Sequence, residues 1–111
     1  MEDRLRKFKA GIFQALANPT RIAIVELLRD AGEVPVTQIH DFLDIEQSNT
    51  SQHLAVLRNK RVVTTRKQGN QVFYRLRDKA LGKVLDLLKQ YFISQLSEES
   101  EMLTSIKSSS S

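Results

Sequence analysis

The chain has 111 residues, 41% of them hydrophobic and 27% charged, which bounds it to one modest globular domain. It has no cysteine, which excludes disulfides, thiolate metal sites and thiol redox chemistry and fits a cytoplasmic protein. Its 17 Lys and Arg against 13 Asp and Glu leave a net charge of +4, and an N-terminus charged from its second residue offers neither a signal peptide nor a membrane span.

Leu5, Phe8, Ile12, Phe13 and Leu16 recur at helical spacing and predict an amphipathic first helix that ends before Ala17-Asn18-Pro19. Asn18 is suited to cap a second helix and Pro19 to its first turn. In that second helix Ile22, Ala23, Ile24, Val25, Leu27 and Leu28 leave almost no polar side, so it belongs in the middle of the core. Asp30-Ala31-Gly32 stops it, with Gly32 fitted to a left-handed position. Val34-Pro35-Val36 is short enough for a brief edge strand. Thr37 is then expected to cap a short third helix whose Ile39, Phe42 and Leu43 face inward. Asp44-Ile45-Glu46 breaks it, and the polar run Gln47 to His53 opens a fourth helix. Two short helices joined by about three residues are a helix-turn-helix signal.

After Lys60 the period changes to that of strands. Val62 to Leu76 is rich in β-branched and aromatic residues and is interrupted once, at Gln68-Gly69-Asn70. This predicts a β-hairpin with arms at 62–67 and 71–76, a positive φ at Gly69, and Asn70 left open in that respect. From about Asp78 a long fifth helix runs through Leu81, Val84, Leu85, Leu87, Leu88, Tyr91, Phe92 and Leu96. Its apolar sector is wider than one core contact requires, which argues for a dimer. Residues 1–106 read as a single domain and 107–111 as a disordered Ser-rich tail.

Charge is sorted along the chain. Between Arg58 and Lys83 nine Lys and Arg face Asp78 alone, whereas from Glu26 to Glu46 six acids face only Arg29. A basic segment of this kind suits a polyanion, although a merely solvated surface has the same composition. Placing Thr50, Leu54 and Leu57 inward, at i, i+4 and i+7, puts Gln47, Ser48, Ser51 and Gln52 on the outward face of the fourth helix, with Arg58 further along. Gln pairs bidentately with adenine and Ser donates to or accepts from several bases, so this face suits the major groove. Arg66, Lys67, Gln68 and Asn70 at the hairpin, and Asn49 and His53 beside the outward face, are candidates for backbone or minor-groove contacts.

Other readings of the same residues are weaker. His40 and His53 are too few for a zinc site, so no metal or cofactor is expected. Ser51 and His53 stand two apart on one helix and point in different directions, which removes nucleophilic catalysis, and no enzyme is expected. Capping alone would need only one or two of the polar residues. The main alternative is a winged-helix protein-interaction module that does not read DNA.

In order and spacing the chain resembles the ArsR/SmtB family of bacterial winged-helix regulators: "ALANPTRIAIVELL" its second helix, "IEQSNTSQHLAVL" its recognition helix, "GNQVFYRL" its wing. The resemblance covers the chain to about residue 95. It implies a mainly α (α+β) winged helix-turn-helix of five helices, with a short strand before the third and a hairpin wing before the fifth. It further implies a homodimer through the first and fifth helices, here Leu5, Phe8, Ile12, Leu85, Leu88, Tyr91 and Phe92. Gln47, Ser48, Ser51 and Gln52 fall on the family's DNA-reading positions, and the expected function is a sequence-specific repressor on a palindromic double-stranded operator, its half-sites roughly 34 Å apart. The family's known inducer sites do not transfer. Pro35-Val36-Thr37 holds none of the Cys that such sensors place at the start of the third helix, and the fifth helix has Asp86 but no His. Glu46, where Ser is common, suits the helix dipole but sits awkwardly near phosphate. An unidentified small-molecule or protein effector is left open.

Overall fold

A computed structural model describes residues 1–109. In chain order the elements are α1 (Glu2–Leu16), α2 (Pro19–Ala31), β1 (Val34–Pro35), α3 (Val36–Leu43), α4 (Gln47–Asn59), β2 (Val63–Gln68), β3 (Gln71–Leu76) and α5 (Ala80–Ser109). The three strands form one antiparallel sheet in the order β1-β3-β2. This is a mainly α winged helix-turn-helix.

Helix α2 sits at the centre because it is apolar on most sides. Ile24, Val25 and Leu28 are fully buried, and α1, α3, α4, α5 and β3 all pack against it. Its first turn is closed by Asn18, whose side-chain oxygen accepts from the backbone N–H of Thr20 at 2.9 Å and of Arg21 at 3.1 Å. Pro19, lacking an N–H, costs nothing there. At the other end Gly32 takes φ 86° and returns its N–H to Leu28 O, a conformation in which a Cβ would be strained.

Two expectations for α3 need correction. It begins at Val36, directly after extended Pro35, and carries no side-chain cap, so Thr37 lies inside the helix. Phe42 is 57% exposed, whereas Ile39 is fully buried. At about 100° per residue, Val36, Ile39 and Leu43 span roughly 60° of arc, and Phe42 lies roughly 60° beyond its edge. The turn to α4 is made by Asp44 in the left-handed region, at φ 53°, a conformation that Asp tolerates better than most residues.

The hairpin pairs Val63 with Leu76 through to Gln68 with Gln71, so its first arm is shifted by one residue from the expected 62–67. Gly69 takes φ 60°, and Asn70 keeps a negative φ. Strand β1 adds only two pairs to the sheet, Val34 with Tyr74 and Pro35 with Phe73. The hairpin beyond Phe73 therefore projects free of it.

Asp78 caps α5 through the N–H of Ala80, and the helix continues for 30 residues. Only its first turns are anchored: Leu85 is buried in the core of its own chain, and Leu81 and Val84 are half-buried. Leu88, Tyr91, Phe92 and Leu96 are exposed, as are Leu5, Phe8 and Phe13 of α1. The Ser-rich tail expected over 107–111 falls partly within α5, which reaches Ser109, and partly outside the described residues. No helix among the described residues is long and apolar enough to cross a membrane.

Removing the double cap of α2 tests this account of the core. Asn18→Ala is expected to lower unfolding stability by about 1 kcal/mol, read as a shift of the urea midpoint at constant slope.

Candidate nucleic-acid interface

Helix α4 divides along its length as its sequence pattern requires. Thr50, Leu54 and Leu57 are buried, at 0%, 2% and 0% exposure, and hold the helix on the core. Thr50 is the one buried polar residue among those described, and it is satisfied: its hydroxyl lies 3.3 Å from His40 Nδ1 on α3 and 3.5 Å from Glu46 O. The two helices of the turn motif are thus joined by a side-chain contact as well as by apolar packing.

Gln47, Ser48, Asn49, Ser51 and Gln52 are all exposed. Gln47 and Ser51 border a groove toward α3, shared with Val36, Thr37, His40 and Asp41. The same row continues through Ala55 to Arg58, where Tyr74 forms the other wall. Glu46 precedes the helix without a side-chain cap bond; its carbonyl receives the N–H groups of Asn49 and Thr50. The positive end of α4 is therefore left facing outward with only backbone closure.

His53 departs from the exposed set. It is half-buried, and Arg21 Nη1 lies 3.4 Å from its Nδ1. Arginine only donates, so Nδ1 must accept and the ring proton belongs on Nε2. Burial, and secondarily the Arg21 charge, hold its pKa below the ordinary 6.5. Its neutral form donates from Nε2 alone, which suits a hydrogen bond to a phosphate but not an ion pair. Arg21 itself was not singled out by sequence. Its Nε donates to Ala15 O at 2.6 Å and its Nη2 to Gln14 O at 3.1 Å, so it closes the C-terminal end of α1 while touching α4. A cation in the first turn of a helix opposes the helix dipole, and that mismatch was the available signal that Arg21 serves something outside its own helix.

The hairpin residues are not equivalent. Lys67 and Asn70 are exposed at the tip. Arg66 is engaged instead: Nη2 and Nε grip both oxygens of Glu33 at 2.6 and 3.2 Å, Nη1 donates to Gln68 Oε1 at 2.6 Å, and the guanidinium lies 4.7 Å from the centroid of the Phe73 ring. The Arg66 hydrogen bond holds the Glu33 carboxyl below its ordinary range, and Glu33 correspondingly raises Arg66. The structure brings Gln47, Ser51 and Arg58 onto one row of α4 and Ser48 and Gln52 onto the neighbouring one. It separates Arg66, held by Glu33 and Gln68, from the exposed Lys67 of the tip.

Among the described residues no three His, Cys, Asp or Glu side chains gather to hold a metal ion. Asp86 of α5 is paired with Arg29 of α2 at 2.6 Å.

Comparison with known proteins fits this geometry. Residues 18–65 match the family model described as bacterial regulatory protein, arsR family. The HTH-type transcriptional regulator Rv0081 of Mycobacterium tuberculosis is 33% identical over 96% of this chain and 94% of its own length. Its crystal structure superposes with a TM-score of 0.77 at 34% identity, over 86% of this chain and 95% of that one. The arsenical resistance operon repressor of Escherichia coli is 45% identical over 59% of this chain and 56% of its own length. A solution structure from Mycobacterium bovis, described as a homodimeric winged helix-turn-helix DNA-binding domain, matches with a TM-score of 0.76 at 25% identity, over 86% of this chain and 87% of that one.

The His53 arrangement predicts a pH dependence with a definite sign. A pKa lower in the folded than in the unfolded state means that the unfolded chain takes up the proton first as pH falls. The stability held by neutral His53 is present above about pH 6.5 and is lost as pH drops through the lower folded value. Unfolding midpoints across this window should fall less steeply for His53→Gln than for the parent chain. Parallel curves would remove His53 from the account.

Proposed function

The chain belongs to the arsR family of bacterial regulatory proteins, and from that premise we propose that it is a homodimeric repressor that reads a palindromic double-stranded DNA operator through α4 and its wing. The observation that carries this reading is the amphipathic division of α4. One face is locked down by Thr50, Leu54 and Leu57, and the other presents Gln47, Ser48, Ser51 and Gln52 without competing partners of its own chain among the described residues. Amide and hydroxyl groups fixed on a rigid helix match the donor and acceptor pattern of the major groove, where all four base pairs differ. Arg58, Asn49 and His53 lie beside that face and suit flanking phosphates, and Lys67, Gln68 and Asn70 suit the backbone or minor groove beyond.

The exposed apolar faces of α1 and α5 support pairing of two chains. Leu5 and Phe8 of α1 and Leu88, Tyr91 and Phe92 of α5 are exposed, and a cleft of about 580 Å³ between the two helices is lined by Phe8, Ile12, Phe13, Leu81 and Val84. Surface of this kind in a small protein marks an interaction site. The Mycobacterium bovis relative, homodimeric by its description, supports the same assembly. Leu85 is the exception among the residues expected at that contact, because it is already buried in the core of its own chain. Repression follows from occupancy: a dimer spanning about one DNA turn covers a promoter segment. The name of the Escherichia coli relative supports that sign of regulation. The family consists of regulators rather than enzymes.

Selection of bound sequences from random duplexes tests this function. An inverted repeat with half-site centres about 34 Å apart is expected, and no enrichment would refute it. On the selected site, Gln47→Ala or Ser51→Ala should lose about 1–3 kcal/mol while binding to random DNA is spared. Lys67→Ala should weaken both kinds of binding and flatten the dependence of log affinity on log salt by about 0.9, one phosphate's worth.

A further inference from the structure

Arg66 and Glu33 are 33 residues apart in sequence, and their ion pair crosses the whole sheet. Arg66 leaves β2, the outer strand, passes over Phe73 of the central strand β3, and grips the carboxylate that immediately precedes β1. Phe73 is the cross-strand partner of both Arg66 and Pro35, so the strap lies at the last level where all three strands are paired. Beyond it the hairpin has two strands only, from Lys67 and Val72 to the turn at Gly69-Asn70. A two-stranded ribbon is the most strongly twisted and least constrained form of sheet. Its direction is therefore set at its root, where Arg66 sits.

All three guanidinium nitrogens are occupied, by Glu33 and by Gln68. Arg75 adds a further favourable charge near Glu33, which is one-third exposed on its side chain. A guanidinium bound at this many points is poorly placed to serve a phosphate at the same time.

The geometry points to Glu33 as a wing-positioning residue that acts through Arg66 to aim Lys67 and the tip at the DNA backbone, without touching DNA itself. This rests on the DNA-reading function proposed above. Glu33 lies in the acidic segment of the chain, where a contribution to binding a polyanion is the opposite of what its charge alone would produce. Two readings of the pair give opposite signs. If Arg66 were a phosphate contact restrained by Glu33, neutralising the acid would release a cation and tighten binding. If the pair aims the wing, neutralising the acid weakens binding.

The test measures affinity of the full chain for the selected duplex, over a range of salt, for the parent, Glu33→Gln, Arg66→Lys, Lys67→Ala and the Glu33→Gln/Lys67→Ala double variant. Glu33→Gln is expected to weaken binding roughly 2- to 5-fold, the range of a well-formed exposed ion pair. Arg66→Lys should weaken it similarly, because an ammonium keeps the charge but cannot fork onto both carboxylate oxygens. The double variant should bind no more weakly than Glu33→Gln alone, since an unaimed tip has already lost the Lys67 contact. That coupling between two residues that do not touch is a result that simple loss of stability would not produce, and thermal unfolding should place all variants close to the parent. Tighter or unchanged binding by Glu33→Gln, retention of parental affinity by Arg66→Lys, or full additivity in the double variant would each overturn the proposal. Failure of the parent chain to bind any duplex would instead overturn the DNA-reading function on which it rests.

Discussion

One helix with almost no polar side organises everything else in this protein. A chain of 111 residues has enough apolar side chains for a single core, and α2 takes the central place in it by burying Ile24, Val25 and Leu28 completely. Each remaining element reaches that core through a few residues: α4 through Thr50, Leu54 and Leu57, α3 through Ile39, α5 through Leu85, and the sheet through Val34 and Val63. Such economy leaves the outer face of every peripheral element free to be specialised. On α4 that freedom is spent on amides and hydroxyls, which are mediocre helix formers and would be a poor choice for stability alone.

The same economy makes the connections between elements matter. Arg21 closes the end of α1, stands in the first turn of α2 and touches His53 on α4. Arg66 ties the outermost strand to the segment before β1. Arg29 joins α2 to Asp86 on α5, with Gly82 leaving room for its stem: a Cβ there would meet Arg29 Cγ at 2.8 Å. Three arginines thus add directional links between elements that also meet through apolar packing. Each uses the planar fork, which fixes direction as well as distance.

Much of this was legible in the sequence where the controlling interaction is local. Asn18-Pro19 announces a helix start, Gly32 its end and Gly69 a tight turn, because each answers a need of the backbone within four residues. The division of α4 followed from spacing, since Thr50, Leu54 and Leu57 fall on one side of any helix. Phe42 is apolar yet exposed, because in a helix of only eight residues its angle, not its hydrophobicity, decides which way it faces. The roles of Arg21, Glu33 and Arg66 lay out of reach. Their partners on other elements are six to 33 residues away, and nothing one-dimensional brings an acid at position 33 to a strand at position 66.

The exposed face of α5 carries a consequence for how much of the protein a cell must hold. The 30-residue helix extends about 45 Å, and beyond Leu85 its large apolar side chains Leu87, Leu88, Tyr91, Phe92, Ile93, Leu96, Met102 and Leu103 are exposed. In the proposed dimer, covering that surface is part of what keeps each subunit folded, so the fraction of competent molecules rises with their number. Dilution then acts twice, by separating subunits and by loosening each one. Occupancy of a DNA site by the proposed dimer would change more steeply with abundance than one-to-one binding allows.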